Sequence, residues 1–326
     1  MKILLVHPGA LVSTADVYNG LYKALKADGH ELVTYRTDSY LITSGHYLDI
    51  AVEHAKNKGM EVPTPTQADV FYHASVQILE RALRFLPDMV LIVSGTHIHP
   101  DAVVMLRRAG IKVAAILTES PYQDEGQKKL IKYLNWAYVT ELYSVNELKS
   151  FLPNGEVYYL PHAYDPEVHY PIVHITEPPQ YTHDVVFVGS GFEDRVSLLE
   201  GVNWEGINLG IYGYWETVEP SSPIFKYIKG GSMDNAEANN LYRHSKIGLN
   251  IYRKNEYYDD KKRVEFNAYS MNPRVLELAA SGVFILSDER PEQHNVFNSA
   301  IPSFDTSAEL EQLVRYYLRC NDDRVA

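Results

Sequence analysis

The sequence predicts an α/β protein of two Rossmann-like domains, each a doubly wound parallel sheet, facing a central cleft. Three observations predict this. Short apolar runs alternate with stretches of helical period, the alternation restarts near residue 184, and a proline-dense stretch separates the halves. Strands alternating with helices form parallel β-α-β units. The 326 residues also exceed the roughly 250–300 at which a single core stops growing.

In the first domain, residues 1–160, Lys2–Val6 reads as a buried strand. Thr14–Ala27 follows, with Val17, Leu21, Ala24 and Leu25 at helical spacing and Gly29 as a stop. Glu31–Tyr35, Met89–Val93, Lys112–Leu117 and Ala137–Thr140 read as strands, and Ala68–Phe85, Pro100–Arg108 and Gly126–Leu134 as helices. Residues 161–183 carry Pro161, Pro166, Pro171, Pro178 and Pro179 and read as a linker, because prolines at that density forbid regular helix and central strand. In the second domain, residues 184–326, the strands are Asp184–Val188, Asn208–Tyr212, Lys246–Ile251 and Val283–Ser287. Its helices are Asn235–His244, Pro273–Ser281 and Ser307–Leu318. Ligands of open α/β sheets bind outside the carboxyl ends of the strands, so the cleft is where a ligand is expected.

Composition narrows the partners. A formal net charge of -12 opposes non-specific attraction to nucleic acid or anionic lipid. The basic run Lys261-Lys262-Arg263 reads as a solvated loop. The single cysteine, Cys320, permits no intrachain disulfide and suits a reducing compartment. Lys2 runs directly into a strand with no room for a signal peptide, and no apolar run reaches the ~20 residues of a membrane span. A cytoplasmic location follows as an expectation.

The turn after the first strand, His7-Pro8-Gly9-Ala10-Leu11-Val12, has one glycine where a dinucleotide fingerprint needs three, which argues against NAD or FAD. No P-loop pattern is present, and no D-x-D suited to a divalent metal. The most informative segment is Asn272-Pro273-Arg274-Val275-Leu276-Glu277-Leu278-Ala279-Ala280-Ser281-Gly282. Asn272 suits an N-cap, Pro273 the first helical position and Gly282 the stop. The helix amino end then offers free N–H groups and a positive dipole to a diphosphate, and Arg274 adds a two-pronged donor. Glu277 lies roughly 7–8 Å further along, about the span from a diphosphate to the ribose of one nucleotide. A carboxylate among apolar neighbours needs partners such as ribose hydroxyls; snorkelling to water or pairing with a lysine is the alternative.

Further segments add to this. Gly189-Ser190-Gly191 follows a strand and lets backbone N–H groups approach a phosphate, with Arg195 starting the next helix; such turns are common by themselves. Tyr212, Gly213, Tyr214 and Trp215 end a strand where aromatics stack on a base or sugar, or merely pack the rim. In the first domain, Glu119 follows the strand Lys112–Leu117 and is placed to act as a base or steady charge, or else to cap a helix. His97, in Gly95-Thr96-His97-Ile98-His99-Pro100, reads as a sugar contact or base rather than half of a metal site, since no third ligand is evident. Gly9 leaves room for sugar or acceptor against the backbone.

Taken in order, with Leu160-Pro161-His162-Ala163-Tyr164-Asp165 before them, these segments resemble the CgeB-like branch of the GT-B glycosyltransferases, also seen in bacteriophage genomes. The resemblance spans most of the chain and is most specific from Asp184 to Asp288. It implies donor binding in the second domain: Gly189, Ser190 and Arg195 on phosphate, Asn272, Pro273 and Arg274 flanking the diphosphate, Glu277 on the ribose. It implies transfer of a sugar from a nucleotide-diphosphate sugar, a UDP-sugar such as UDP-glucose first, to a hydroxyl acceptor, with Glu119 and His97 as candidate catalytic residues and no metal or other cofactor. The acceptor is left open among glycan, protein and modified DNA base. The sequence departs from many retaining members in two places: Tyr269 stands eight positions before Glu277 where they carry a second glutamate, and Glu200 stands where a lysine commonly follows the phosphate arginine. Two other readings stay open, a UDP-GlcNAc 2-epimerase-like enzyme and a non-catalytic nucleotide- or sugar-binding module of a phage or spore structure.

Overall fold

Alternate residues of β1 (Lys2–Val6) enter the two faces of one sheet: Leu4 and Val6 join one apolar cluster, Ile3 and Leu5 another. A strand buried on both faces belongs to a parallel sheet covered by helices on either side. The structure, a computed structural model, describes residues 1–9, 12–152, 154–172, 180–254, 256–259, 262–265 and 267–325. Pro178 and Pro179 of the expected linker and Lys261 of the basic run lie outside the described residues. The chain divides into two units, residues 1–161 and 162–326.

Unit 1 carries β1, β2 (Glu31–Tyr35), β3 (Met89–Val93), β4 (Lys112–Leu117), β5 (Trp136–Val139) and β6 (Glu156–Tyr159) in one sheet, all parallel, in the order β2-β1-β3-β4-β5-β6. Its helices are α1 (Val12–Ala27), α2 (Thr37–Asn57), α3 (Gln67–Phe85), α4 (Pro100–Arg108), α5 (Asp124–Ile131) and α6 (Ser144–Ser150). Strand order reverses between β1 and β3, so the turns after those strands flank the crevice where such sheets take ligands. The helices α2 and α6 and the strand β6 have no counterpart in the sequence reading. Only Thr37, Ser44 and Ala55 of α2 are buried, so it shows no apolar stripe.

Unit 2 repeats the plan with β7 (His183–Val188), β8 (Leu209–Tyr212), β9 (Ile228–Gly230), β10 (Ser245–Asn250) and β13 (Phe284–Ser287), all parallel, in the order β13-β10-β7-β8-β9. A separate antiparallel hairpin joins β11 (Glu256–Asp259) to β12 (Lys262–Glu265). The helices are α7 (Glu193–Glu200), α8 (Asn235–Arg243), α9 (Pro273–Ser281), α10 (Pro291–Phe297), α11 (Ser307–Arg319) and α12 (Asn321–Val325). Here the order reverses between β7 and β10. Because α9 precedes β13 and the strands are parallel, its amino end lies at the carboxyl edge of the sheet. Among the described residues no helix is long and apolar enough to cross a membrane.

Candidate functional site

The helix α9 forms as its residues dictate. Asn272 is extended (φ -82, ψ 163) and its side chain accepts the Val275 N–H at 3.2 Å; Pro273 opens the helix; Gly282, at φ 73, closes it in the left-handed conformation. The other first-turn N–H groups have no intrahelical partner, and the helix dipole adds positive potential there. Arg274 turns its guanidinium across the Gly189-Ser190-Gly191 turn. Its Cζ lies 5.0 Å from the centre of the Phe187 ring, and a Cβ built on Gly189 would fall on its Nη2. The Nη1 of Arg274 is buried and has no hydrogen-bond partner among the described residues. A guanidinium nitrogen removed from water without an acceptor is costly. Glu277 follows one helical turn later on the same face. Both flank the buried phenol of Tyr242, which burial, and then Glu277, hold above its usual range while Arg274 pulls it down.

Arg195 is held by main chain. It is 5% exposed; its Nη1 donates to the Ser190 carbonyl at 3.0 Å and its Nη2 to the Ile251 carbonyl at 2.7 Å. It thereby ties the turn after β7 to the end of β10 across the point where strand order reverses. Both terminal nitrogens bond main chain beneath the turn. The turn itself is similarly committed: Gly189 N–H donates to the Tyr212 carbonyl and Gly191 N–H to the Tyr214 carbonyl, both at 2.8 Å. Of the three turn residues, Ser190 alone has an N–H without a main-chain partner among the described residues. The glycines are needed for packing: a Cβ on Gly191 would strike the Trp215 ring, and one on Gly213, at φ +120, would strike the Gly189 backbone.

Tyr212 leaves the edge. Its ring lies back along the sheet beside Gly230, and its hydroxyl meets Nε2 of His183, at the opposite end of β7, at 2.8 Å. Gly210, whose missing side chain leaves room for the His183 ring, permits this. Stacking on a ligand therefore falls outside its reach, whereas Tyr214, 57% exposed, stands at the edge. Trp215 is buried with Nε1 on the Gly189 carbonyl at 2.8 Å. Three residues absent from the sequence reading complete this edge. Arg253 packs over Phe192 at 4.9 Å and Arg290 over Tyr252 at 4.7 Å, so with Arg195 and Arg274 four cations line the strand ends. Asp288, at the end of β13, accepts the Tyr252 N–H at 2.8 Å; burial raises its carboxyl to about 6 against the pull of that N–H, Arg290 and Arg195.

In unit 1 the structure brings Gly9 and His97 together. Gly9, at φ +88, has the His97 ring where a Cβ would stand, and His97 Nδ1 donates to the Pro8 carbonyl at 2.8 Å. A carbonyl only accepts, so Nδ1 carries a proton and Nε2 is the ring nitrogen turned away from Pro8. This contact bridges the turns after β1 and β3. His99 is differently employed: its Nδ1 accepts the Asp101 N–H at 3.3 Å as the cap of α4, so the H-x-H pair does not converge. His7 is held neutral by burial, which outweighs Asp38, and accepts the Gly9 N–H at 3.2 Å. Glu119 follows β4 and receives the Thr14 hydroxyl at 3.4 Å.

Two parallel α/β units in succession, six strands and then five, form the two-domain GT-B fold. Residues 195–326 match the family model described as glycosyl transferase-like, so the expectation of a glycosyltransferase-like chain is met over that stretch. No curated protein matches the chain in sequence. Three solved structures show how widely the fold is shared. Sucrose-phosphate synthase from Thermosynechococcus elongatus superposes with a TM-score of 0.65 at 10% identity, over 100% of this chain and 91% of that one. An alpha-glucosyltransferase in complex with UDP gives 0.60 at 12%, over 99% and 92%. UDP-GlcNAc 2-epimerase from Neisseria meningitidis bound to UDP-GlcNAc gives 0.50 at 9%, over 100% and 93%. At these identities the likeness establishes the fold and leaves the reaction to the residues.

Proposed function

We propose that the chain is a glycosyltransferase that moves a sugar from a nucleotide-diphosphate sugar, a UDP-sugar first among them, to a hydroxyl acceptor. One observation carries this reading: the buried, unpartnered Nη1 of Arg274 at the amino end of α9, beside the Gly189 turn. A diphosphate supplies the missing acceptor, and the first-turn N–H groups and dipole favour its charge. Glu277, one turn further, takes the ribose hydroxyls. UDP in the similar alpha-glucosyltransferase and UDP-GlcNAc in the similar epimerase support a uridine nucleotide as the donor half.

In the step itself the bond between the anomeric carbon and the diphosphate oxygen breaks, and one forms to the acceptor oxygen. Arg274 and the helix dipole stabilise the charge gathering on the leaving diphosphate, a role that needs no metal in this proposal. Arg195 acts as a positioning residue that holds the glycine turn. In unit 1, His97 Nε2 is the candidate to take the acceptor proton, because Nδ1 is committed to the Pro8 carbonyl. Glu119 is the second candidate. Thermal unfolding with UDP-, GDP-, ADP- and dTDP-sugars, followed by detection of released nucleotide with an acceptor panel, tests the reading. The expected result is a rise in melting temperature with a UDP-sugar and acceptor-dependent release of UDP. Conversion of UDP-GlcNAc to UDP-ManNAc without acceptor replaces it with the epimerase reading, and binding without turnover replaces it with a binding module.

A further inference from the structure

The short helix α10 turns two buried polar side chains into unit 2, Glu292 and Gln293. Gln293 anchors the helix at the strand ends. Its Oε1 receives the Tyr252 hydroxyl, just beyond β10, at 2.9 Å and lies 3.0 Å from the Ser287 hydroxyl at the end of β13. Ser287 in turn receives Nδ2 of Asn250, the last residue of β10, at 2.8 Å. Glu292, 7% exposed, reaches the segment that leads into α9. Its Oε2 accepts the N–H of Met271, itself buried, at 2.7 Å, and its own N–H donates to the Tyr269 carbonyl at 3.1 Å. Three residues further on, Asn295 donates from Nδ2 to the Tyr269 hydroxyl at 2.9 Å.

Residues 267–272 form neither helix nor strand. Asn272 caps α9 from within, since its bond runs to Val275 of the same helix. That bond starts the helix but does not fix where the start lies against the sheet. The bonds from Glu292 and Asn295 do, because they tie Tyr269 and Met271 to a helix that Gln293 anchors. A carboxylate is costly to bury, and an apolar side chain would fill the same space without that cost. What the carboxylate adds is an acceptor for the Met271 N–H, which would otherwise be buried unsatisfied. Binding constellations work within about 0.5 Å of their productive geometry. The first-turn N–H groups and Arg274 share one helix, so a shift of its amino end moves them together.

We propose that Glu292 is a positioning residue: through Met271 it holds the amino end of α9 at the place from which the first-turn N–H groups and Arg274 are presented to an anion. That the anion is the donor diphosphate rests on the glycosyltransfer reading; that Glu292 sets the start of α9 does not. The clasp also accounts for Tyr269, whose carbonyl and hydroxyl both meet α10.

The test is calorimetric titration of UDP into the full chain and its Glu292 variants, beside amide hydrogen exchange of the same proteins without nucleotide. Glu292→Met keeps the length and removes the acceptor. It is expected to weaken UDP about tenfold or more, the scale of a small misplacement, and to speed exchange across residues 269–276 above any change in β7 and β10. Glu292→Gln restores an acceptor and is expected to stay within about threefold of wild-type affinity, a rescue that a role through charge would not allow. Where Glu292→Met does not fold, Asn295→Ala carries the test, with the same exchange pattern and a several-fold weaker UDP. Wild-type UDP affinity in the folded test variant, equal weakening in both Glu292 variants, or exchange quickened evenly through unit 2 overturns the proposal. A wild type that binds no UDP strikes the glycosyltransfer reading instead, and the exchange pattern then decides whether Glu292 holds the helix.

Discussion

The two units share an architecture and differ in chemistry at the same place. In each, strand order reverses once and a side chain spans the reversal: His97 reaches the Pro8 carbonyl in unit 1, and Arg195 reaches the Ser190 and Ile251 carbonyls in unit 2. Around that spanning residue unit 2 gathers Arg253, Arg274 and Arg290 on aromatic faces, whereas unit 1 gathers hydroxyls, amides, carboxylates and a neutral imidazole. Parallel sheets dictate where a ligand sits; the residues at the strand ends dictate its charge. Under the proposed function, the difference assigns an anion to the edge of unit 2 and the acceptor to the edge of unit 1.

The comparison can be broken from the unit 2 side first. Gly213→Ala is expected to have the largest effect, because its Cβ falls on the Gly189 main chain at φ +120, where nothing flexible can yield. Denaturant unfolding should show about 3 kcal/mol or more lost. Arg195→Met comes next. Removing two charge-assisted bonds to buried carbonyls should cost about 2–3 kcal/mol in the same measurement, and it should lower UDP affinity only as far as the turn loosens. Arg274→Met should leave the fold intact and weaken UDP roughly 10- to 100-fold, the worth of a charge-assisted contact. If Arg195→Met instead weakens UDP more than Arg274→Met at unchanged stability, the roles of the two arginines are reversed.

The smallest effect sharpens the electrostatic contrast. Asp288 is raised in the folded chain to about 6 from 3.8. Between those values the folded state holds more protons than the unfolded state, so this group's contribution to stability falls as pH rises from about 4 to about 6 and is level above. Asp288→Asn should flatten that slope in unfolding midpoints measured from pH 4 to 7. An unchanged slope would show that Asp288 is ionised throughout.

Much of the fold and the helix at the centre of the unit 2 edge were legible in the sequence. β1, β3 and β4 read as apolar runs, and Asn272, Pro273 and Gly282 announced α9 at both ends, because caps are local chemistry. What was not legible depends on distant neighbours. The helix α2 buries only Thr37, Ser44 and Ala55 and leaves Ile42, Tyr47 and Ile50 66%, 62% and 63% exposed, so no periodicity marks it. Tyr212 ends a strand as read, but the direction of its ring is set by Gly210, Gly230 and His183, which only register brings together. The bond from Arg195 to the Ile251 carbonyl, 56 positions away, is likewise set by register alone.

Calorimetric titration of UDP into the wild type, Arg274→Met and Glu277→Gln tests the central claim most directly. The account predicts saturable binding to the wild type and about tenfold or greater weakening in both variants, with melting temperatures unchanged in the absence of nucleotide. Wild-type affinity in both folded variants would contradict it and place the nucleotide away from the amino end of α9.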